Sequence, residues 1–259
     1  MQKLLRDLRA FYKKEGRSHL PWRATRDPYR ILVSEVMLQQ TQVARVIPYY
    51  KNFLKKFPTA KALAKGPLSE VLQAWQGLGY NRRGRYLYEA GKILAQEGWN
   101  GRKLPGVGPY TAAAVLAFAH NKPTVFIETN IRTVFFYHLD TKEPMSDAEL
   151  LPLVEEALKK SKMEPRDFYA ALMDYGSDLK AKGVKLNAKS KHYAKQSKFK
   201  GSARELRGAI LRELLKNPAT LAVLAKNLSR KAEEVARELS RLVKDGLIIE
   251  AGKKFRIAA

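Results

Sequence analysis

Cysteine is absent from the 259 residues, which excludes disulfides and any metal held by thiolates, and leaves the redox compartment unread. Long hydrophobic runs are missing as well. None reaches the length needed to cross a bilayer, and the opening residues, MQKLLRDLRAFYKKEG, lack a signal-peptide pattern and read as a short amphipathic helix. An intracellular location is the default expectation, cytoplasmic and nucleoid-associated in a prokaryote. Acidic residues are few, 25 Asp and Glu against 49 Lys and Arg, for a formal charge of +24. An excess of that size points to a polyanionic partner, nucleic acid ahead of an anionic membrane surface. Hydrophobic residues make up 45% of the chain, enough for a packed core and too many for a largely disordered one.

Strand patterns are scarce until the end of the chain, whereas helical periodicity is nearly continuous. It predicts helices over Gln2–Glu15, Tyr29–Val46, Pro48–Phe57, Ser69–Ala74, Arg82–Glu97, Tyr110–His120, Ile131–His138, Asp147–Lys160 and Arg166–Lys180. Breaks fall at "KFPTA", "GLGYN", "GWNGRKLPGVG" and "NKPT". Between Ser177 and Lys200 the composition turns to Lys, Ser, Asn and Ala, as in a basic linker or loop. The last sixty or so residues differ again: "ELRGAILRELLKN", "TLAVLAKNLS" and "KAEEVARELSRLVKDG" read as helices, and "LIIEAGKKFRIA" as a two-strand wing turned at Ala251-Gly252. That order is the winged-helix arrangement, whose third helix commonly enters the major groove. Here the third helix carries Glu233, Glu234 and Glu238, so a packing or dimerisation role stays open beside a DNA-reading one.

Chemistry is suggested by two carboxyls and one glycine turn. Glu35 lies among Val33, Val36 and Met37 in "ILVSEVMLQQTQV", where partial burial would resist ionisation and produce a general acid. Glu128, in "PTVFIETNIRTV", precedes a helix capped by Thr129 or Asn130, whose dipole favours the ionised carboxylate. Two carboxyls held in opposite protonation states suit cleavage of a glycosidic bond. Sequence alone does not show that they meet. In "LPGVGPYTAAAV" the backbone of Gly106 and Gly108 can turn sharply ahead of a helix whose free N–H groups suit a phosphate; a plain tight turn has the same signature.

Taken together and in order, "LPWR", "ILVSEVMLQQTQVARVIPYY", "FPTAKALA", "WQGLGYNRRGRYL", "LPGVGPYTAAAV" and "ALMDYG" resemble the A/G-specific adenine DNA glycosylases of the helix-hairpin-helix base-excision superfamily. The resemblance covers residues 1–180 and implies two helical subdomains with DNA held across a cleft and the target nucleotide extruded. The expected fold is mostly α: a helix-hairpin-helix glycosylase domain over 1–180, a basic linker over 181–201 and a winged-helix-like α+β module over 202–259.

By resemblance, Glu35 is the general acid that protonates the leaving base and then activates water. Glu128 takes the place of an aspartate that steadies the sugar cation, and Asn130 matches the asparagine beside it. Tyr110 matches an active-site tyrosine where strand-cleaving relatives carry lysine, so hydrolysis without strong AP lyase activity is implied. Trp22 and Arg23 match residues near the bound base. Gln40 and Tyr80 match side chains that wedge into the duplex. Gly106 and Gly108 would hold a DNA phosphate, with a monovalent cation as an option at the hairpin backbone.

The sequence departs from the pattern at four places. The four cysteines of the family's iron–sulfur cluster are missing, so no cofactor is expected. A loop containing Lys180, Lys182, Lys185, Lys189, Lys191 and Lys195 is read as keeping that region's phosphate contacts. Glu128 is one methylene longer than aspartate. Ala170 stands where a base-contacting Gln or Glu is usual. The domain that reads 8-oxoguanine is replaced by the winged helix.

The leading expectation is therefore a monomeric, monofunctional glycosylase acting on double-stranded DNA with a mispaired or damaged base, adenine opposite guanine or 8-oxoguanine. A thymine, uracil or hypoxanthine mismatch glycosylase is the alternative, and a non-catalytic DNA-binding regulator the second.

Overall fold

The computed structural model describes residues 1–99, 103–139, 143–191 and 199–258. In chain order the helices are α1 (Gln2–Glu15), α2 (Pro28–Leu38), α3 (Val43–Lys56), α4 (Ala60–Lys65), α5 (Leu68–Trp75), α6 (Arg82–Glu97), α7 (Pro109–His120), α8 (Thr129–Leu139), α9 (Asp147–Ser161), α10 (Pro165–Ala181), α11 (Ala203–Leu214), α12 (Leu221–Leu228) and α13 (Ala232–Lys244). Strands β1 (Ile248–Ala251) and β2 (Lys254–Ile257) follow. Contacts divide the chain into two discontinuous units, Met1–Glu35 with Val107–Lys195, and Val36–Gly106 with Gln196–Ala259. Among the described residues no helix is long and apolar enough to cross a membrane.

In the first unit, α10 is the central helix. It buries Phe168, Tyr169, Ala171, Leu172 and Leu179 and packs against α8, α1 and α7. Gly176 permits the closest approach, because a Cβ there would strike the backbone carbonyl of Asn130 at the start of α8. Ser146 and Glu149 form a reciprocal capping box on α9, and Met145 bridges Ser190 in a short parallel pairing.

In the second unit α6 packs on α4 and α5, with Gly91 set against Leu63 and Trp75 edge-on to Phe53 at 6.2 Å. The helix predicted over Tyr29–Val46 is broken. α2 stops at Leu38, Gln40 takes φ 56°, and α3 starts at Val43, so that Pro48 lies inside a helix instead of opening one. Arg83 holds this break: its guanidinium donates to the carbonyl oxygens of Val36 (2.9 Å), Gln39, Leu78 (3.3 Å) and Gly79 (3.2 Å). It thereby joins the end of α2 to the turn that carries Tyr80, itself at φ 47°. α4 begins inside the expected break at "KFPTA" and is nucleated by Thr59, whose hydroxyl accepts from the Ala62 N–H at 3.1 Å.

The C-terminal residues of this unit form three helices and a hairpin around Ile210, Leu224, Val235, Leu239 and Ile248. β1 and β2 pair antiparallel with Ile248 opposite Ile257, and the tight turn uses Gly252 at φ 62°. The module is pinned to α6. Arg82 pairs with Asp245 at 3.3 Å, Arg85 donates to the Asp245 carbonyl at 2.6 Å, and a Cβ on Gly246 would lie 2.6 Å from the Arg85 guanidinium.

Candidate active site

Glu35 sits on the buried face of α2, 6% exposed, with Val33, Val36 and Met37 also buried. Tyr110, in the first turn of α7, donates its hydroxyl to Glu35 Oε2 at 3.2 Å. Burial raises the Glu35 carboxyl from its ordinary 4.5 to about 7. The Tyr110 hydrogen bond and the Arg23 charge pull it down, and the Glu128 charge adds to the rise. The Tyr110 phenol is driven well above its ordinary value by burial and by the charges of both Glu35 and Glu128. Its ring stands edge-on to Phe126 at 5.5 Å, and Phe126 stacks on Tyr169 at 3.8 Å. Two carboxyls distant in sequence thus act on one phenol within the first unit.

Glu128 caps its own helix. Its carbonyl accepts the first helical bond, from the Arg132 N–H at 2.9 Å. Its Oε1 accepts from the N–H groups of Asn130 (2.7 Å) and Ile131 (2.9 Å), and its Oε2 from Asn130 Nδ2 at 3.2 Å. The expected cap at Thr129 or Asn130 is therefore corrected by one or two positions, because the long side chain of Glu128 curls back onto the free N–H groups. The N–H groups at the start of α8 favour the ionised carboxylate, as expected, but burial outweighs them together with Lys180 and raises the carboxyl overall.

Lys180 belongs to this cluster and not to the basic loop. Its Nζ donates to Asn130 Oδ1 at 2.7 Å, so Asn130 bridges Lys180 and Glu128. Burial pushes the lysine down, against the pull of Glu128. Arg23 donates to Asp174 at 3.2 Å and lies 5.4 Å over the Phe118 ring; its Nη1 is buried without a hydrogen-bond partner among the described residues. Asp174, 2% exposed, also accepts from the Arg17 backbone N–H (2.8 Å) and Nε (2.9 Å). Trp22 and Ala170 are buried. The motif "ALMDYG" by itself gives Asp174 no role; an acid inside an otherwise apolar helical face is the signal that marks it.

Gln40 and Tyr80 lie in the second unit. Tyr80 accepts a hydrogen bond from Arg204 of α11 at 2.7 Å, with the Arg204 and Arg83 guanidinium groups 5.2 and 5.5 Å from its ring centre. Gly106 needs its hydrogen side chain: it has φ 69°, and a Cβ would lie 2.6 Å from Tyr86. Gly108 is the N-cap of α7 and faces open space. Of the basic loop, Lys182 pairs with Asp178 at 2.7 Å and Lys191 with Glu149 at 3.2 Å, both exposed. Lys185 is exposed, and Lys189 ends a short 3-10 turn. Lys195 lies outside the described residues.

The residues present do not fit an iron–sulfur cluster. The chain has no cysteine to ligate iron, and the described residues contain no group of three His, Asp or Glu side chains arranged for a metal.

Residues 33–160 match the HhH-GPD superfamily of base excision DNA repair proteins. Among the relatives similar to this chain are adenine DNA glycosylases. The one from Buchnera aphidicola subsp. Baizongia pistaciae is 37% identical over 178 residues, 64% of this chain and 50% of that protein. The Homo sapiens protein is 37% identical over 193 residues, 66% of this chain and 35% of that one. The Mycolicibacterium smegmatis protein is 38% identical over 175 residues, 63% and 59%. The chain thus spans about half or less of the length of the first two. Among solved structures, a thermostable thymine-DNA glycosylase matches with TM-score 0.58 and 26% identity over 72% of this chain and 93% of that one. A trapped endonuclease III–DNA covalent intermediate shares the fold, with TM-score 0.51, 20% identity and coverage of 69% and 83%.

Proposed function

We propose that the protein is a monofunctional DNA glycosylase of base excision repair that extrudes a mispaired or damaged base from duplex DNA and hydrolyses its N-glycosidic bond. The observation that carries this is the buried Glu35 carboxyl, hydrogen-bonded to Tyr110 at 3.2 Å and poised to ionise near neutral pH. In the reaction, protonated Glu35 gives its proton to a nitrogen of the departing base as the bond to C1′ breaks and the bonding pair leaves with the base. Positive charge develops on the sugar and is offset by the Glu128 carboxylate, which the start of α8 and Asn130 hold in place. Water then adds at C1′ and yields its proton to the Glu35 carboxylate, which restores the acid.

Tyr110 has no amine to condense with the sugar aldehyde, so the reaction stops at the abasic site. Lys180, the amine in this cluster, is bonded to Asn130. The basic surface lysines Lys182, Lys185, Lys189 and Lys191 supply phosphate contacts, in keeping with the charge of +24.

Adenine opposite guanine or 8-oxoguanine is the favoured substrate, from the similarity to adenine DNA glycosylases. Thymine, or another base of a G mismatch, is the second reading. Ala170 offers no hydrogen bond to an adenine edge, and the thymine-DNA glycosylase matches across most of its length. Duplexes carrying each base pair, incubated with the protein and then treated with alkali, separate the two. Cleavage at A·G or A·8-oxoguanine supports the first reading, cleavage confined to G·T or G·U the second, and no alkali-labile site in any duplex refutes glycosylase activity. Efficient borohydride trapping of an enzyme–DNA adduct would refute the monofunctional assignment.

A further inference from the structure

Asn130 stands between two groups of opposite charge. Its Oδ1 accepts from Lys180 Nζ at 2.7 Å, and its Nδ2 donates to Glu128 Oε2 at 3.2 Å. A carboxamide has one accepting end and one donating end, so its two orientations are chemically distinct. As it lies, the amide offers an N–H to Glu128, a bond that favours the ionised carboxylate. Turned over, it would set Oδ1 against that carboxylate and a second donor against the ammonium. The reversed amide suits only a protonated acid. A lysine has donors and no acceptor, so Lys180 fits the first orientation and opposes the second.

The two helices are shaped to deliver this lysine. Gly176 of α10 lets the start of α8 approach, since a Cβ there would strike the Asn130 carbonyl. Lys180 follows one turn later on the same face of α10 and is half-buried. Other charged groups also surround Glu128. Arg132, one turn further along α8, is held by both oxygens of Asp147, at 2.7 and 2.6 Å. Glu35 of α2 and Tyr110 of α7 both feel the Glu128 charge. Of the two cations, Lys180 is the one joined to Glu128 through a hydrogen-bonded side chain, and its charge opposes the rise that burial imposes on that carboxyl. Lys182, two residues on, instead lies exposed against Asp178.

We propose that Lys180 is a positioning residue: through the Asn130 amide it keeps Glu128 as the anion that offsets charge on the sugar. The proposal rests on the glycosylase reading for the reaction it serves. It gives Lys180 a task that a phosphate-binding lysine does not have, and it makes the end of α10 part of the machinery behind the candidate site.

The test follows two pH dependences in the full chain. One is NMR titration of the Glu128 carboxyl in protein labelled with carbon-13 at glutamate Cδ, with Glu128→Gln assigning the resonance. The other is single-turnover base release on whichever duplex the lesion panel selects. Lys180→Met should raise the Glu128 midpoint by about one pH unit and shift the acidic limb of base release upward with it, a loss of about tenfold on that limb. Lys180→Gln, a polar replacement that also loses the charge, should move both in the same direction. Lys180→Arg, which keeps the charge and an N–H for Asn130 Oδ1, should restore most of both. An unmoved midpoint, a midpoint moved as far by arginine as by methionine, or a change confined to duplex affinity and its salt slope would overturn the proposal. The NMR titration needs no turnover. A wild type that releases no base from any duplex, with the Glu128 midpoint moved as expected, upholds the hold of Lys180 on Glu128 and refutes only the glycosylase reading.

Discussion

Replacing Glu35 with glutamine should make the protein more stable, and by an amount that depends on pH. The carboxyl is held near 7 against an ordinary 4.5, chiefly by burial. Each factor of ten in an ionisation constant is worth about 1.4 kcal/mol. The folded state therefore binds a proton that the unfolded state releases as pH rises from 4.5 to 7, and folding stability falls across that window by about 3 kcal/mol. Below pH 4.5 both states are protonated and the penalty vanishes; above 7 both are ionised and it is fully present. Glutamine keeps the shape and can still accept from Tyr110, but carries no ionisation cost. Urea unfolding of wild type and Glu35→Gln at pH 5 and pH 8.5 measures the difference. The variant should gain less than about 1 kcal/mol at pH 5 and about 3 kcal/mol at pH 8.5. An equal effect at both values, or a loss of stability at pH 8.5, would refute the argument that burial makes Glu35 an acid.

Other consequences follow from neighbouring groups. Tyr110→Phe removes a hydrogen bond that lowers the Glu35 carboxyl, so the basic limb of the base-release pH profile should move up by about one pH unit; an unchanged limb would mean that the two side chains are not coupled. Asp174→Ala leaves Arg17 and Arg23 without their buried acid and should cost about 3–5 kcal/mol in urea unfolding, and a loss below about 1 kcal/mol would show that the two arginines find other partners. Lys182→Ala combined with Lys185→Ala should reduce the slope of log affinity against log salt by about 2 on duplex DNA, whereas an unchanged slope would place these side chains away from phosphate.

How much of this was readable beforehand differs from residue to residue. The apolar neighbours of Glu35 are local, so its burial could be read from "ILVSEVMLQQTQV" directly. Its bond to Tyr110 spans 75 positions, and no periodicity encodes a contact of that range. The break after α2 was hidden for a similar reason. Apolar spacing continues through it, and what ends the helix is Gln40 at positive φ, with the preceding Gln39 carbonyl held by Arg83 from 44 residues away. The C-terminal module was legible because each of its elements carries its own signal: capping Ser202 and Thr220, amphipathic helices and Gly252 at the turn. Its attachment to α6 was not, since Asp245 and Gly246 look like an ordinary helix end until Arg82 and Arg85 are seen against them. Composition alone groups Lys180 with the basic loop. It stands next to a run of lysines, and only its distance to Asn130 separates it from them.

The chemistry described here depends on one proton held by one buried side chain. Single-turnover release of the base, on whichever duplex the lesion panel selects, compared for wild type and Glu35→Gln at pH 6.5, tests that dependence most directly. The variant should bind the duplex as tightly as wild type while its rate of base release falls about a hundred- to ten-thousandfold. Release by the variant at the wild-type rate would contradict a catalytic role for the Glu35 proton.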